Sequence, residues 1–175
     1  MTPTIAEIAT PIGALDVVLD GDSLLALLFA DRGDRTLARL ERQLGSTRSA
    51  WRPAPRTSAT LRRIRDYFAG DLSVLDEIEI APHGTPFQLA VWKRVRQIPV
   101  GETASYSDVA RDIRAPAAVR AVGAANGANP ICIVVPCHRV IGATGDLTGY
   151  GGGLDRKRWL LSHESRQPAL AAAAR

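Results

Sequence analysis

Over residues 4–30 the chain alternates short apolar stretches with turn signals. Val17, Leu19, Leu25, Leu27 and Phe29 suit pleated strands, while Thr10-Pro11-Ile12-Gly13 and Asp20-Gly21-Asp22-Ser23 suit tight turns. The pattern predicts a meander of about three strands. The period then lengthens: Leu37, Leu40 and Leu44 recur at helical spacing before Gly45, which predicts a helix over residues 34–44. Residues 48–55 read as a loop. Residues 57–69 read as a second helix, with Leu61, Ile64 and Phe68 on one face and Gly70 closing it, and residues 76–81 as another strand. A sheet with two helices on it is a scaffold and names no chemistry.

After Pro82-His83-Gly84, which reads as a linker, the pattern turns helical. Thr85 and Pro86 are an N-cap and a first-turn proline, and Phe87, Val91, Val95 and Ile98 carry a helix to about residue 97, where Pro99-Val100-Gly101 ends it. Ser105-Tyr106-Ser107-Asp108 is a capping box for a short helix with Val109, Ala110 and Ile113. A tight turn at Arg114-Ala115 and Pro116 lead into a third helix over residues 117–125. Two short helices around a small turn, the second basic and small-surfaced, fit a helix-turn-helix and equally a plain helical hairpin. On the third helix Ala118, Ala121 and Ala124 would let a groove approach closely while Arg120 projects; they would also let the helix pack tightly on a sheet.

Residues 131–135, Ile-Cys-Ile-Val-Val, read as a buried strand that Pro136 ends, with Asn129 placed to tie the preceding turn to it. A thiol, an imidazole and a guanidinium follow: Cys137, His138 and Arg139. A cysteine nucleophile needs its anion, which a nearby base or cation favours, and these two neighbours are the local candidates. Gly142-Ala143-Thr144-Gly145-Asp146 and Gly149-Tyr150-Gly151-Gly152-Gly153 read as loops, the second open enough for backbone N–H groups to approach a ligand. A last helix is expected over residues 154–163, with a disordered tail over 167–175.

The chain has 175 residues, 46% of them hydrophobic, and two cysteines, Cys132 and Cys137. That excludes a disulfide framework and a four-cysteine zinc site, and favours free thiol in a reducing compartment. With no basic-then-apolar N-terminus and no apolar run near 20 residues, a cytoplasmic protein without membrane contact is expected. The net charge of +4 is uneven: residues 1–91 carry 10 basic and 12 acidic side chains, residues 92–166 carry 11 and 6. A polyanion should dock on the second half.

Pro136-Cys137-His138-Arg139-Val140, preceded by Arg120-Ala121-Val122-Gly123 and Asn129-Pro130 and followed by Gly149-Tyr150-Gly151-Gly152, Lys157, Leu160-Leu161 and Glu164, resembles the O6-alkylguanine-DNA alkyltransferases. Gly84-Thr85-Pro86-Phe87-Gln88, Val91-Trp92, Ile98-Pro99-Val100-Gly101 and Ser105-Tyr106 extend the match over residues 84–164, and Pro11-Ile12-Gly13 and Tyr67-Phe68-Ala69-Gly70 carry it thinly into the first half. The resemblance implies an α/β (α+β) protein: an N-terminal β-sheet with helices, ribonuclease H-like, over 1–83, and a mainly helical, winged-helix-like domain with a helix-turn-helix over 84–166. It implies irreversible, stoichiometric transfer of an alkyl group from guanine O6 in DNA to Cys137, with O4-alkylthymine as a further candidate substrate and no cofactor or metal. Within that resemblance His138 is the base, acting on the thiol through a water, and Glu164 orients it.

The resemblance further implies that Arg120 enters the base stack from the minor groove of double-stranded DNA and that Tyr106 helps rotate the damaged base out. Backbone carbonyls near Cys137 and Val140 hold its amino group, Tyr150 walls the pocket, the Gly151 N–H donates to O6, and Asn129 completes the base-binding set. Gly151 replaces a serine of some relatives, which suggests a more open pocket. Arg114 stands where the family often has glycine, implying a strained turn or an added phosphate contact. The absence of further cysteines rules out the zinc and four-cysteine modules of some relatives; Cys132 is expected to be inert core, and the protein a monomer without DNA. Three other readings fit less well. Lesion-binding relatives lack the cysteine, a sequence-specific regulator needs readout side chains where the third helix has alanines, and a thiol hydrolase leaves Arg120 and Tyr106 without roles. Lys157 reads either as a charge near the thiolate or as a solvated helix position.

Overall fold

The computed structural model describes residues 2–165, so the tail expected over 167–175 lies outside the described residues. The meander is present as β1 (Thr4–Ile8), β2 (Leu15–Asp20) and β3 (Ser23–Phe29), antiparallel in succession, with Val17 opposite Leu27. Inside the stretch expected to be a loop, Arg52–Pro53 forms a two-residue β4 that pairs parallel with β1 and completes the order β3-β2-β1-β4. Both faces of this sheet are covered. Val18, Ala26 and Leu28 pack with Leu37 and Leu40 of α1 (Asp34–Leu44), whereas Leu15, Val17, Leu19 and Leu27 enter the main core with Leu61, Ile64 and Tyr67 of α2 (Ala59–Phe68).

Two of the expected strands are not strands. Leu72–Glu77 is a 3-10 turn, and Ile80 makes a single parallel bridge to Leu24. Leu72, Leu75 and Ile78 are buried at a spacing of three, the repeat of the 3-10 helix, which can look like alternation in a short window. Residues 131–135 likewise make only isolated bridges, Ile131 to Leu27 and Cys132 to Val135, the second because the segment bends back so that the Val135 N–H donates to the Ile131 carbonyl at 2.9 Å. Ile133 has φ +73°, a left-handed conformation that is costly for a β-branched residue. Residues 129–140 are all buried, so their apolar character follows from depth alone and does not require a strand.

The second half is helical. The α3 helix (Pro86–Arg96) starts at the Thr85–Gln88 capping box and is anchored by the Trp92 indole, which donates to the Ala125 carbonyl at 2.8 Å. The α4 helix (Tyr106–Asp112) starts at its own box, where Ser105 and Asp108 bond reciprocally, and α5 (Val119–Gly127) follows a 3-10 turn at Pro116–Ala118. Ala104–Ser105 (β5) and Val140–Ile141 (β6) form a small parallel pair that ties the start of α4 to the end of the thiol-bearing loop. The last helix, α6 (Leu154–Ser165), runs two residues past its expected end. One core joins the halves: Leu24 and Leu27 of the sheet cluster with Val91, Trp92, Ile131, Val135, Cys137 and Leu160. No helix among the described residues is long and apolar enough to cross a membrane.

Candidate active site

Pro136 ends the buried loop, and Cys137 opens a 3-10 turn, Cys137–Arg139, in which all three side chains are buried. The turn re-aims consecutive side chains that an extended chain would point to opposite faces. The loop beneath is held by amides. Asn129 Nδ2 donates to the Val135 carbonyl at 2.8 Å and its Oδ1 accepts from the Ile131 N–H at 2.9 Å, while Asn126 Nδ2 donates to the Cys137 carbonyl at 3.3 Å. The tie by Asn129 is as expected from the sequence. Asn126 had no signal of its own, because its partner is created by the turn.

His138 has no exposed surface, and its Nε2 lies 2.9 Å from Glu164 Oε1. Arg139 does not face the thiol, contrary to the expectation for a neighbouring cation. Its Nε and Nη2 each donate to Glu164 at 2.8 Å and its Nη1 to the Ile98 carbonyl at 2.6 Å. The Tyr67 hydroxyl adds a further bond to Glu164 Oε1, at 2.9 Å. One buried carboxylate thus gathers an imidazole, a guanidinium and a phenol. Burial pushes the Glu164 carboxyl up, but the His138 and Arg139 bonds overcome it and hold it at about 2. For His138 burial dominates and lowers the imidazole below its ordinary value, against the pull of Glu164. The ring is therefore neutral at pH 7. With Nε2–H donating to Glu164, its other nitrogen, Nδ1, presents a lone pair and has no partner among the described residues.

Burial also raises the Cys137 thiol, with Asn129 and the charge of Lys157 pulling it partly back. The resting thiol is protonated and needs a base, which the neutral imidazole is suited to be. Lys157 is buried, so its reading as a solvated helix position is corrected: Nζ donates to the Val140 carbonyl at 2.6 Å and the Thr148 carbonyl at 3.0 Å. Cys132, by contrast, donates to the Leu27 carbonyl at 2.8 Å and is raised far above a normal thiol by burial.

Two cavities meet at Cys137. One, of about 200 Å³, has Tyr106, Gly123 and Gly149 along its wall; the other, of about 90 Å³, reaches toward β3 and the start of α1. Both are bounded by Asn126, Gly127, Cys137, Tyr150 and Gly151. The Tyr150 ring meets Phe29 edge-on at 6.3 Å, and Gly152 lies against both rings, where a β-carbon would come within 2.6 Å of either. Only glycine fits there. Tyr106 is half-buried, its hydroxyl 3.4 Å from the Thr148 and Gly149 carbonyls.

Outside the cavities, α5 exposes Arg120, Ala121, Ala124 and Gly127 along one side. The turn before it is a Schellman closure: Arg114 N–H donates to the Arg111 carbonyl and Ala115 N–H to the Ala110 carbonyl, both at 2.9 Å, with Arg114 at φ +60°.

With this geometry in view, the relatives are informative. A family profile described as "6-O-methylguanine DNA methyltransferase, DNA binding domain" matches residues 86–166. The methylated-DNA–protein-cysteine methyltransferase of Salmonella typhimurium is 49% identical over 163 residues, covering 90% of this chain and 93% of its own. This chain belongs to that family. The enzyme of the same name from Mycobacterium tuberculosis is 48% identical over 164 residues, covering 93% of each chain. The crystal structure of Mycobacterium tuberculosis OGT in complex with DNA matches with a TM-score of 0.79 at 44% identity, over 97% of this chain and 96% of that one. The O6-methylguanine-DNA methyltransferase of the archaeon Pyrococcus kodakaraensis matches at 0.67 and 25% identity, over 93% and 99%. Similarity at this level extends through both halves, including the sheet where the sequence motifs were thin.

Proposed function

We propose that the protein repairs O6-alkylguanine in double-stranded DNA by moving the alkyl group to Cys137, once per molecule. The observation that carries this reading is Cys137 in the wall of a cavity shared with Tyr106 and Tyr150, followed directly in the chain by the buried His138–Glu164 pair. The His138 Nδ1 lone pair takes the thiol proton through one water, and Glu164, kept anionic by Arg139, stabilises the imidazolium that forms. The Cys137 sulfur attacks the alkyl carbon, the C–O6 bond breaks with its electron pair going to the guanine, and the thiol proton passes from His138 to that guanine, leaving the imidazole neutral. Thioether formation consumes the nucleophile, so the reaction ends there.

The target atom is inaccessible in a stacked duplex, so the base is flipped at a cost of a few kcal/mol, lower for a poorly paired lesion. Arg120, exposed beside small residues on α5, fills the stack from the minor groove, and Tyr106 assists rotation. The Cys137 and Val140 carbonyls accept from the guanine amino group and the Gly151 N–H donates to O6. Asn129, with its amide already engaged by the loop backbone, positions the thiol from behind. In this reading residues 1–83 form the scaffold and 84–166 the DNA-binding and transfer domain, in a cytoplasmic monomer that needs no metal.

The test is intact-mass spectrometry after mixing with excess duplex carrying one O6-methylguanine, alongside Cys137→Ala and Cys132→Ala. One methyl adduct per protein, lost only in Cys137→Ala, is the expected result. Tight lesion binding with no adduct would replace transfer with recognition alone.

A further inference from the structure

We propose that Arg32 makes this site selective for O6-alkyl groups that end in an anion. The inference rests on the alkyl-transfer reading and deepens it. A guanine entering from the Tyr106 side presents its O6 substituent to Cys137, and whatever extends beyond the reacting carbon continues into the second cavity. At about 90 Å³ that cavity has room for a short substituent beyond the reacting carbon.

Its chemistry is not that of a purely alkyl pocket. Phe29 and Cys132 line one part, and Arg32 and Thr36 line another. The Arg32 guanidinium lies along the glycine loop, 3.7 Å from where a β-carbon at Gly153 would stand. Among the described residues neither its guanidinium nor the Thr36 hydroxyl makes a side-chain hydrogen bond or ion pair. Arg32 is exposed, and although its charge helps to stabilise the neighbouring Asp31 carboxylate, both oxygens of that carboxylate are hydrogen-bonded by the terminal nitrogens of Arg156, at 2.9 and 3.1 Å. A carboxylate delivered through the cavity would meet a guanidinium able to bind it with two parallel hydrogen bonds and a hydroxyl beside it. A methyl group carries no charge or acceptor for either to bind.

The step itself is unchanged: for a carboxymethyl lesion the S–CH2 bond forms, the CH2–O6 bond breaks, the electron pair leaves with the guanine, and the thiol proton ends on that guanine. The carboxylate stays ionised, paired with Arg32 in the product.

Single-turnover transfer rates on duplexes carrying O6-methylguanine, O6-carboxymethylguanine or the neutral carboxamide of the same size separate the possibilities. Arg32→Ala is expected to slow carboxymethyl transfer about tenfold while leaving the methyl and carboxamide rates within about twofold, Arg32→Glu to slow it further, and Arg32→Lys to restore part of the rate. An equal loss on all three lesions would make Arg32 a phosphate contact and overturn the proposal, as would no loss on any. Failure of the unmodified protein to accept even the methyl group would overturn the alkyl-transfer reading itself.

Discussion

Glu164 carries the largest electrostatic consequence of any side chain in the site, because it is buried and yet held at about 2. Its folded value lies below its unfolded value of about 4.5, so its stabilisation is present above that value and is lost as pH falls through the folded one. The shift corresponds to about 3 kcal/mol. His138 acts in the same direction: its imidazole is also lowered in the folded state, so protonation below about 6.5 favours the unfolded chain. Denaturant titrations should therefore show stability falling from pH 6.5 downward and more steeply below 4.5, and Glu164→Gln should remove the steeper part. Transfer by the unmodified protein should stay level through neutral pH and decline as His138 protonates. Tyr67→Phe deletes one bond to the charged carboxylate and should cost about 1.5–3 kcal/mol in unfolding free energy. Because His138 and Arg139 still hold Glu164, it should slow transfer much less than Glu164→Gln does.

At the scale of elements, the turn between α4 and α5 makes the sharpest prediction. A non-glycine residue at φ +60° costs on the order of 1 kcal/mol, partly offset by the chain entropy that glycine loses on folding. Arg114→Gly should thus raise the unfolding free energy by up to about 1 kcal/mol, read from the denaturation midpoint. A midpoint that falls would mean the arginine side chain stabilises the turn by more than its backbone costs. The same turn shows what was legible in the sequence. Helices whose ends carry local chemistry, Thr85–Gln88 and Ser105–Asp108, were readable because each cap is closed by residues three apart. Residues 131–135 were not, since a fully buried run has the same composition whether it is laddered or bent. The paired strands of two residues, β4, β5 and β6, carry no period at all, being too short to show one. The site divides in the same way. Cys137, His138 and Glu164 stood out through a motif; Tyr67 and Ile98 also lie in matched stretches, but nothing local ties them to the site, which they meet because the fold brings residues 97 and 41 positions away to Glu164 and Arg139.

For the whole molecule, the decisive fact is that Cys137 belongs to the core cluster that joins the sheet to the helical half. A group added to that sulfur is added to the packing that holds the halves together, so its effect should be global and not confined to the loop. The cavities beside the thiol relieve part of the crowding for a methyl group, but less for a larger one. Overpacking a core of this kind typically costs about 1–3 kcal/mol. The alkylated protein should therefore melt below the free protein, with a benzyl adduct lower than a methyl adduct, in calorimetric scans of material whose stoichiometry has been fixed by mass. A melting temperature that rises on alkylation would mean that the resting site is underpacked and that the transferred group completes it. The spent protein would then persist on folding grounds alone, whereas a fall would mark it for unfolding by the same reaction that completed its task.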